Sequence, residues 1–186
     1  MTDELNNAIN NLQKRDVILY PTDTVWGIGC DATSKEAVAR IFRIKQRRES
    51  KSLVILVDGL EMLQQYVTQI PEKVITILKT VTEPTTIIYK NPIGLAKNVV
   101  AKDNTIAIRI VKNEFCQELI KQFGKPIVST SANISEKPTP KSFKEIDPSI
   151  LDAVDYVVNL YHDKITHMPS RIIKLDKDGS VKVIRD

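Results

Sequence analysis

Short blocks of apolar residues alternate with polar ones along the chain, and their spacing switches between that of a helix and that of a strand. In one block the apolar residues recur at the spacing of a single helix face: Ala37, Val38, Ile41 and Phe42. The run 33–36, Thr-Ser-Lys-Glu, fits the capping-box pattern, so we predict a helix that opens there and ends at about Gln46. Comparable patterns predict helices at 4–14, at 114–123, and within 59–81, where Pro71 separates two short helices.

Runs of β-branched and aliphatic residues predict the strands. The alternation is clearest in 105–111, and 17–20 forms a short buried strand that stops at Pro21. Further strands are predicted at 53–57, 85–89, 126–130, near 155–159, at 171–175 and at 181–185. No element is predicted for 22–29, where turn-forming and bulky residues mix. Strands dispersed among helices indicate an α/β fold in which helices cover a mixed open sheet.

Length and composition limit the class of protein. The chain has 186 residues, of which 42% are hydrophobic and 27% charged, and this fits one globular domain over residues 1–186. No stretch approaches the roughly 20 apolar residues of a membrane span, so we predict no membrane association. The polar N-terminus shows no signal sequence, and Cys30 and Cys116 form no Cys-x-x-Cys motif. We therefore expect reduced, structural thiols and a cytoplasmic protein.

The charge balance and the missing motifs restrict the chemistry. A formal net charge of +4 permits an anionic partner such as a nucleotide or RNA. His162 and His167 are five residues apart, a spacing that does not favour a zinc site. Gly124-Lys-Pro126 is not a P-loop, and Gly27-Ile-Gly29 does not continue as a dinucleotide-binding motif. A nucleotide must therefore bind through a different arrangement of residues.

Lys45 continues the apolar face of the helix predicted at 34–46. An unpaired ammonium buried there is very costly, so Lys45 should face an anion or a water-filled cavity. Arg47, Arg48 and Lys51 follow closely and form with Lys45 a basic cluster that suits phosphate or carboxylate. The alternative is a snorkelling lysine beside a solvated basic turn.

Two polar runs follow predicted strands, where ligands of open α/β sheets bind. Ser129–Asn133 offers small polar groups and backbone N–H groups for a phosphate, or alternatively a turn or helix cap. Pro21–Thr24 offers hydroxyls for a polar substrate, with glycines nearby that allow close backbone approach, although Asp23 could instead cap a turn. Arg109 is either an edge-strand charge or a clamp for a carboxylate.

Together these segments resemble the YrdC family of threonylcarbamoyl-AMP synthases. Residues 20–31, Tyr-Pro-Thr-Asp-Thr-Val-Trp-Gly-Ile-Gly-Cys-Asp, are similar to the family's signature. Ile44-Lys-Gln-Arg47 is similar to its Lys-x-Arg motif, and Val128-Ser-Thr-Ser-Ala-Asn133 to its Ser-x-Asn motif. The order and spacing match, with 105–110 between them, and the similarity extends from about residue 8 to residue 185.

The resemblance implies a twisted open sheet with a concave, positively charged cleft. It also implies a nucleotidyltransferase that condenses L-threonine, bicarbonate and ATP to threonylcarbamoyl-AMP and pyrophosphate, with Mg²⁺ accompanying ATP. The product would pass to a threonylcarbamoyl-transferase complex that modifies tRNA, and weak binding of tRNA or double-stranded RNA would accompany this role. The alternative is a non-catalytic module of the same fold that binds double-stranded RNA or tRNA.

The resemblance assigns roles to ten residues by motif. The implied catalytic residues are Lys45, Arg47, Ser131 and Asn133. The implied threonine contacts are Thr22, Arg109 and Ser170. The implied nucleotide contacts are Lys45, Thr105, Ser131, Thr139 and Arg185.

Three residues depart from the family's pattern. Asp23 stands where the family often has glutamate, a small change in reach. Glu136 stands where a glycine usually follows the Ser-x-Asn motif, so that loop is expected to close differently. The late Pro-Ser-Thr segment reads Met168-Pro-Ser-Arg171, and this leaves Arg171 without an assigned role.

Overall fold

The computed structural model describes residues 1–48, 52–165, 168–176 and 180–186. In these residues nine strands form one mixed sheet, which confirms the predicted α/β class. They are β1 (Ile18–Tyr20), β2 (Gly27–Gly29), β3 (Val54–Val57), β4 (Thr85–Lys90), β5 (Thr105–Ile110), β6 (Ile127–Ser131), β7 (Tyr156–Val157), β8 (Arg171–Leu175) and β9 (Val181–Arg185). Their order is β7-β1-β2-β6-β3-β5-β4-β8-β9. Three neighbouring pairs, β1–β7, β3–β5 and β4–β8, are parallel.

The described helices are α1 (Thr2–Gln13), α2 (Lys35–Ile44), α3 (Leu60–Tyr66), α4 (Glu72–Thr80), α5 (Glu114–Phe123) and α6 (Pro148–Leu151), with a 3₁₀ turn at Phe143–Glu145. Three of these six described helices, α2, α5 and α6, begin at a residue whose side chain caps the helix. The α2 cap is Ser34, whose hydroxyl accepts a hydrogen bond from the Ala37 N–H. The predicted capping box began at Thr33, one residue before the cap that the structure shows. Gly124 ends α5 in the left-handed conformation, with a φ of 75°.

Three elements were not predicted: β2, the 3₁₀ turn and α6. β2 contains only Gly-Ile-Gly, and it is a strand because β1 and β6 pair with it on its two sides. Two features singled out in the sequence, Lys51 in the basic cluster and His167, lie outside the described residues.

Cross-strand register gathers polar residues on one face of the sheet. Val54 of β3 is opposite both Ala107 of β5 and Ser129 of β6. Cross-strand partners share a face, and so do residues two apart on a strand. Arg109 and Ser131 therefore lie on the same face as these three residues, although β5 and β6 are far apart in sequence.

The opposite face carries the apolar core. Its central strands contribute Ile55, Ile106, Ile108 and Val128, all buried. Helix α2 adds the predicted stripe of Ala37, Val38, Ile41 and Phe42, also buried. Cys30 and Cys116 are buried free thiols, and burial raises the pKa of both, as expected for structural cysteines. None of the described helices is long and apolar enough to cross a lipid bilayer.

Candidate functional site

A cavity of about 220 Å³ opens on the polar face of the sheet. Its walls come from segments spread over most of the chain: Thr24, Val25, Arg47, Ser52, Leu53, Val54, Arg109, Ser129, Thr130, Ser131, Thr139, Pro169, Ser170, Ile172 and Arg185. Six of the residues assigned by the resemblance are therefore brought together here: Arg47, Arg109, Ser131, Thr139, Ser170 and Arg185. The other four, Thr22, Lys45, Thr105 and Asn133, are not in its wall.

The cavity wall contains three arginines and is rich in hydrogen-bonding groups. It contains the guanidinium groups of Arg47, Arg109 and Arg185, and among the described wall residues there is no aspartate or glutamate. Serine and threonine hydroxyls supply further polar groups. Such a wall suits ligands that carry several anionic groups, such as phosphates and carboxylates.

Arg109 lies at the floor of this cavity in β5. Because β5 pairs with both β3 and β4, the edge-strand interpretation of Arg109 is wrong. Its side chain is only 3% exposed, and its Nη1 lies 2.8 Å from Asp23 Oδ1 in an ion pair. Nη1 also donates a 3.2 Å hydrogen bond to Thr24 Oγ1.

Thr22 supports Arg109 through Thr24. The buried Thr22 hydroxyl donates to Val25 O at 2.7 Å and lies 3.0 Å from Thr24 Oγ1. It also accepts the backbone N–H of Thr24 at 3.0 Å. These bonds orient the Thr24 hydroxyl that meets Arg109, whereas the direct contact of Thr22 with threonine stays a prediction.

Lys45 lies directly beyond the last residue of α2, and its side chain is almost completely buried. Its ammonium donates to Ser131 O, to Asn133 O at 2.6 Å and to Asn133 Oδ1 at 3.4 Å. Backbone carbonyls therefore meet the charge outside the wall of the main cavity, and the snorkelling alternative is excluded. Burial, and then the charge of Arg47, lowers the pKa of Lys45 to about 7.

The Ser131–Asn133 segment is held in a fixed conformation beside the cavity. Ser131 Oγ donates to Asn133 Oδ1 at 2.5 Å, and Asn133 Nδ2 donates to Lys137 O at 2.6 Å. Asn133 lines a second cavity of about 240 Å³, and Thr139 lines both cavities. The Ser-x-Asn motif thus stands between two adjoining spaces.

Arg47 and Arg185 both line the main cavity and are held by backbone carbonyls. Arg47 is half-buried and donates from Nη2 to Ser52 O at 2.7 Å, and burial lowers its pKa. Arg185 in β9 donates from Nε and Nη2 to Ser170 O at 3.1 and 2.7 Å. Burial, and then the charge of Arg109, lowers the pKa of Arg185. The Ser170 hydroxyl lies 2.7 Å from the buried Thr86 hydroxyl.

The structure shows the backbone conformation of Glu136 and the contacts of Arg171 and Thr105. Glu136 has a φ of 72°, in the left-handed region that glycine adopts most readily, which explains the family's usual glycine there. Arg171 forms an ion pair with Asp186 at 2.9 Å. Thr105 is buried and donates to Asp103 Oδ1 at 2.6 Å, so its nucleotide contact stays a prediction.

The sequence predicted no site role for Asp23 or Ser52, and it singled out Thr24 only as one of the hydroxyls of the run Pro21–Thr24. Thr24 and Ser52 line the cavity, and Asp23 pairs with Arg109. No local pattern links position 23 to position 109, because the contact forms only where the loop after β1 meets β5 in the folded protein. The position of the run Thr22-Asp-Thr24 directly after a strand was the one available signal.

The residues that the structure describes contain no group of three or more His, Cys, Asp or Glu side chains that could hold a metal ion. The expected Mg²⁺ stays a prediction.

The fold and the cavity together define an α/β protein with an arginine-lined cavity on one face of its sheet. A family model for Sua5, YciO and YrdC proteins, described as "Telomere recombination", matches residues 10–186. A threonylcarbamoyl-AMP synthase of Xanthomonas campestris is 32% identical over 161 residues, covering 85% of this chain and 86% of that protein. The synthase of Pseudoalteromonas translucida is 35% identical over 155 residues, covering 82% and 83%. The chain belongs to the Sua5/YciO/YrdC family.

Solved structures share the fold. The crystal structure of E. coli YciO has a TM-score of 0.87 at 25% identity, covering all of this chain and 90% of YciO. The crystal structure of P. abyssi Sua5 complexed with L-threonine has a TM-score of 0.86 at 24% identity. It covers 97% of this chain, which spans 53% of that longer Sua5 chain.

Proposed function

We propose that this chain is an L-threonylcarbamoyladenylate synthase, a nucleotidyltransferase that acts on L-threonine, bicarbonate and ATP. The observation that carries the proposal is that Arg47, Arg109 and Arg185 converge on one cavity from distant parts of the chain. Relatives that are named threonylcarbamoyl-AMP synthase, and that match over most of their own length, support it.

The cavity offers places for the carboxylate of threonine and for the phosphates of ATP. Arg109 at the floor, with Ser170 nearby, would bind the carboxylate of threonine. Arg47 and Arg185 in the walls would neutralise phosphates, and Ser131 would orient a phosphate or carbamate oxygen. Lys45 would act on the nucleotide through the Ser131–Asn133 segment, whose carbonyls it holds.

The reaction then requires mainly positioning and charge stabilisation. The amine of threonine attacks the carbon of bicarbonate, and loss of water leaves a carbamate. A carbamate oxygen attacks the α-phosphorus of ATP, and the bond to the β-phosphate oxygen breaks. Threonylcarbamoyl-AMP and pyrophosphate are formed, and the guanidinium groups of the wall would stabilise the charge that develops on pyrophosphate.

Mg²⁺ fits this cavity as a companion of ATP. Mg²⁺ prefers oxygen ligands, keeps several waters and is commonly held through substrate phosphates. The described wall offers only hydroxyl side chains such as Ser129 and Ser131 as oxygen donors, so phosphates and water would supply most ligands. When bound, the ion would neutralise phosphate charge.

The wider role follows from the product. We propose that this chain works in the cytoplasm and that a threonylcarbamoyl-transferase complex takes up the adenylate to modify tRNA. Weak binding of tRNA or double-stranded RNA by the chain itself belongs to the same proposal.

A threonine-dependent assay tests the proposed function. Purified protein with ATP, Mg²⁺, L-threonine and labelled bicarbonate should give pyrophosphate and a labelled adenylate. Arg47→Ala should lower turnover at least about tenfold, or about 1.4 kcal/mol of barrier, whereas Arg43→Ala on the exposed surface of α2 serves as the matched control. Protein that turns over no ATP with threonine, but binds RNA with a steep salt dependence, would support the non-catalytic alternative.

A further inference from the structure

The ion pair between Asp23 and Arg109 leaves two buried polar atoms without hydrogen-bond partners. Within the described residues, Arg109 Nε and Asp23 Oδ1 are buried and accept or donate no hydrogen bond. The 2.8 Å contact of Asp23 Oδ1 with Arg109 Nη1 is an ion pair without hydrogen-bond geometry. Buried polar groups are rarely left unsatisfied, and a native one calls for an explanation such as a ligand.

The two unsatisfied atoms have opposite hydrogen-bonding roles. Nε is a donor that carries part of the guanidinium's positive charge, and Oδ1 is an acceptor that carries part of the carboxylate's negative charge. The head group of an α-amino acid has the complementary pair, a carboxylate and an ammonium on one carbon. A donor and an acceptor held side by side therefore match a zwitterion better than a simple anion.

Protein groups already bind Arg109 Nη1 and Asp23 Oδ2, so Arg109 Nε and Asp23 Oδ1 remain for a ligand. Thr24 accepts a hydrogen bond from Arg109 Nη1, and the Lys112 N–H donates to Asp23 Oδ2 at 3.2 Å. Arg109 and Thr24 both line the 220 Å³ cavity. Asp23 lies 2.8 Å from Arg109, so a ligand head group that reaches the guanidinium from the cavity also meets this carboxylate.

We propose that Asp23 and Arg109 form a two-point site for the head group of the amino-acid substrate. Arg109 takes the carboxylate through Nε, and Asp23 Oδ1 accepts a hydrogen bond from the α-ammonium. The inference rests on the proposed function and adds Asp23 as a substrate-binding residue. It predicts that the site selects α-amino acids over α-hydroxy acids of the same shape.

Binding measurements without ATP test this directly. Isothermal titration calorimetry would compare L-threonine with (2S,3R)-2,3-dihydroxybutanoate, in which a hydroxyl replaces the ammonium. For Asp23→Asn we expect the Kd of threonine to rise at least tenfold, whereas the Kd of the hydroxy acid changes less than threefold. Asp23→Glu keeps the charge and should retain most of the preference for threonine.

A matched control is Asp155→Asn. Asp155 also pairs with an arginine, Arg40, at 2.8 Å and accepts a backbone N–H, that of Val17, at 2.7 Å. It lies outside the cavity wall, so its substitution should leave both Kd values unchanged. Circular dichroism of the Asp23 variants would verify that they are folded.

Three results would overturn the inference. If Asp23→Asn weakens both ligands equally, Asp23 only positions Arg109. If it weakens neither while the wild-type protein makes pyrophosphate in the presence of threonine, the proposed function stands and the two-point site is wrong. If the wild-type protein neither binds threonine nor shows threonine-dependent turnover, the proposed function fails as well.

Discussion

Burying a charged side chain is costly unless hydrogen bonds replace its water. Lys45 meets this requirement with the carbonyl oxygens of Ser131 and Asn133. The Lys45 side chain reaches these carbonyls from the end of α2. The ammonium thus links the Lys-x-Arg motif to the Ser-x-Asn motif, and the fold of one motif depends on the other.

The lowered pKa of Lys45 predicts a pH-dependent stability. Its folded-state pKa of about 7 lies below the ordinary 10.5. Between these values the unfolded chain binds a proton that the folded chain has released, so the free energy of unfolding should rise with pH in this window. This contribution, at most about 1.4 kcal/mol per pH unit, should be absent in Lys45→Met.

Urea unfolding of wild type and Lys45→Met from pH 6 to pH 10 measures this difference. The stability of wild type relative to the variant should increase with pH above about 7. Lys79→Met, on the exposed side of α4, should show the same pH dependence as wild type. Parallel curves for wild type and Lys45→Met would refute the argument.

Gly29 in β2 is required by close packing. A Cβ at this position would lie 2.4 Å from Val128 O and 2.5 Å from Tyr20 Cε1, and both atoms are buried. Gly29→Ala should therefore destabilise the fold by at least about 1–3 kcal/mol, as overpacking does. Gly59→Ala is the matched control, because nothing lies within 4 Å of its added Cβ. Urea midpoints that fall equally in both variants would contradict this explanation.

At the scale of elements, the hydrophobic period predicted the five longer helices, α1 to α5, but it did not predict the strand β2. The stripe of α2 follows from side chains that bury one helix face, so it is visible in the sequence. β2 has two glycines and no alternation, and its identity comes from pairing with β1 and β6. Such pairing is a tertiary interaction, which local sequence cannot report.

The edge of the sheet contains an unfavourable pair of like charges. Register places Lys174 of β8 directly opposite Lys182 of β9, and cross-strand like charges destabilise a sheet. Lys182→Glu should convert this repulsion into attraction and raise the free energy of unfolding by about 0.2–1 kcal/mol. Lys90→Glu, opposite the neutral Thr105, should give no such gain in urea unfolding. A loss of stability in Lys182→Glu would show that the register argument fails.

At the scale of the whole molecule, the site depends on contacts that span nearly the full chain. The sequence motifs located Arg47, Ser131 and Arg109 through the resemblance. Without the resemblance, each of these residues could also be interpreted as having only a structural role instead of binding a ligand. The Asp23–Arg109 pair and the Lys45 carbonyl contacts were not predictable, because they arise where distant segments meet across the sheet.

Because its walls join distant segments, a ligand in the cavity should stabilise the entire fold. Ligand that binds only the folded state adds about 2.7 kcal/mol at a hundred times its Kd, so ATP with Mg²⁺ and L-threonine should each raise the Tm of wild type. Arg109→Lys keeps the charge beside Asp23 but loses the guanidinium fork, so it should lose the threonine shift and keep the ATP shift. Arg47→Ala should show the reverse pattern in differential scanning fluorimetry. If both variants lose both shifts to the same degree, the carboxylate and phosphate subsites are not separate.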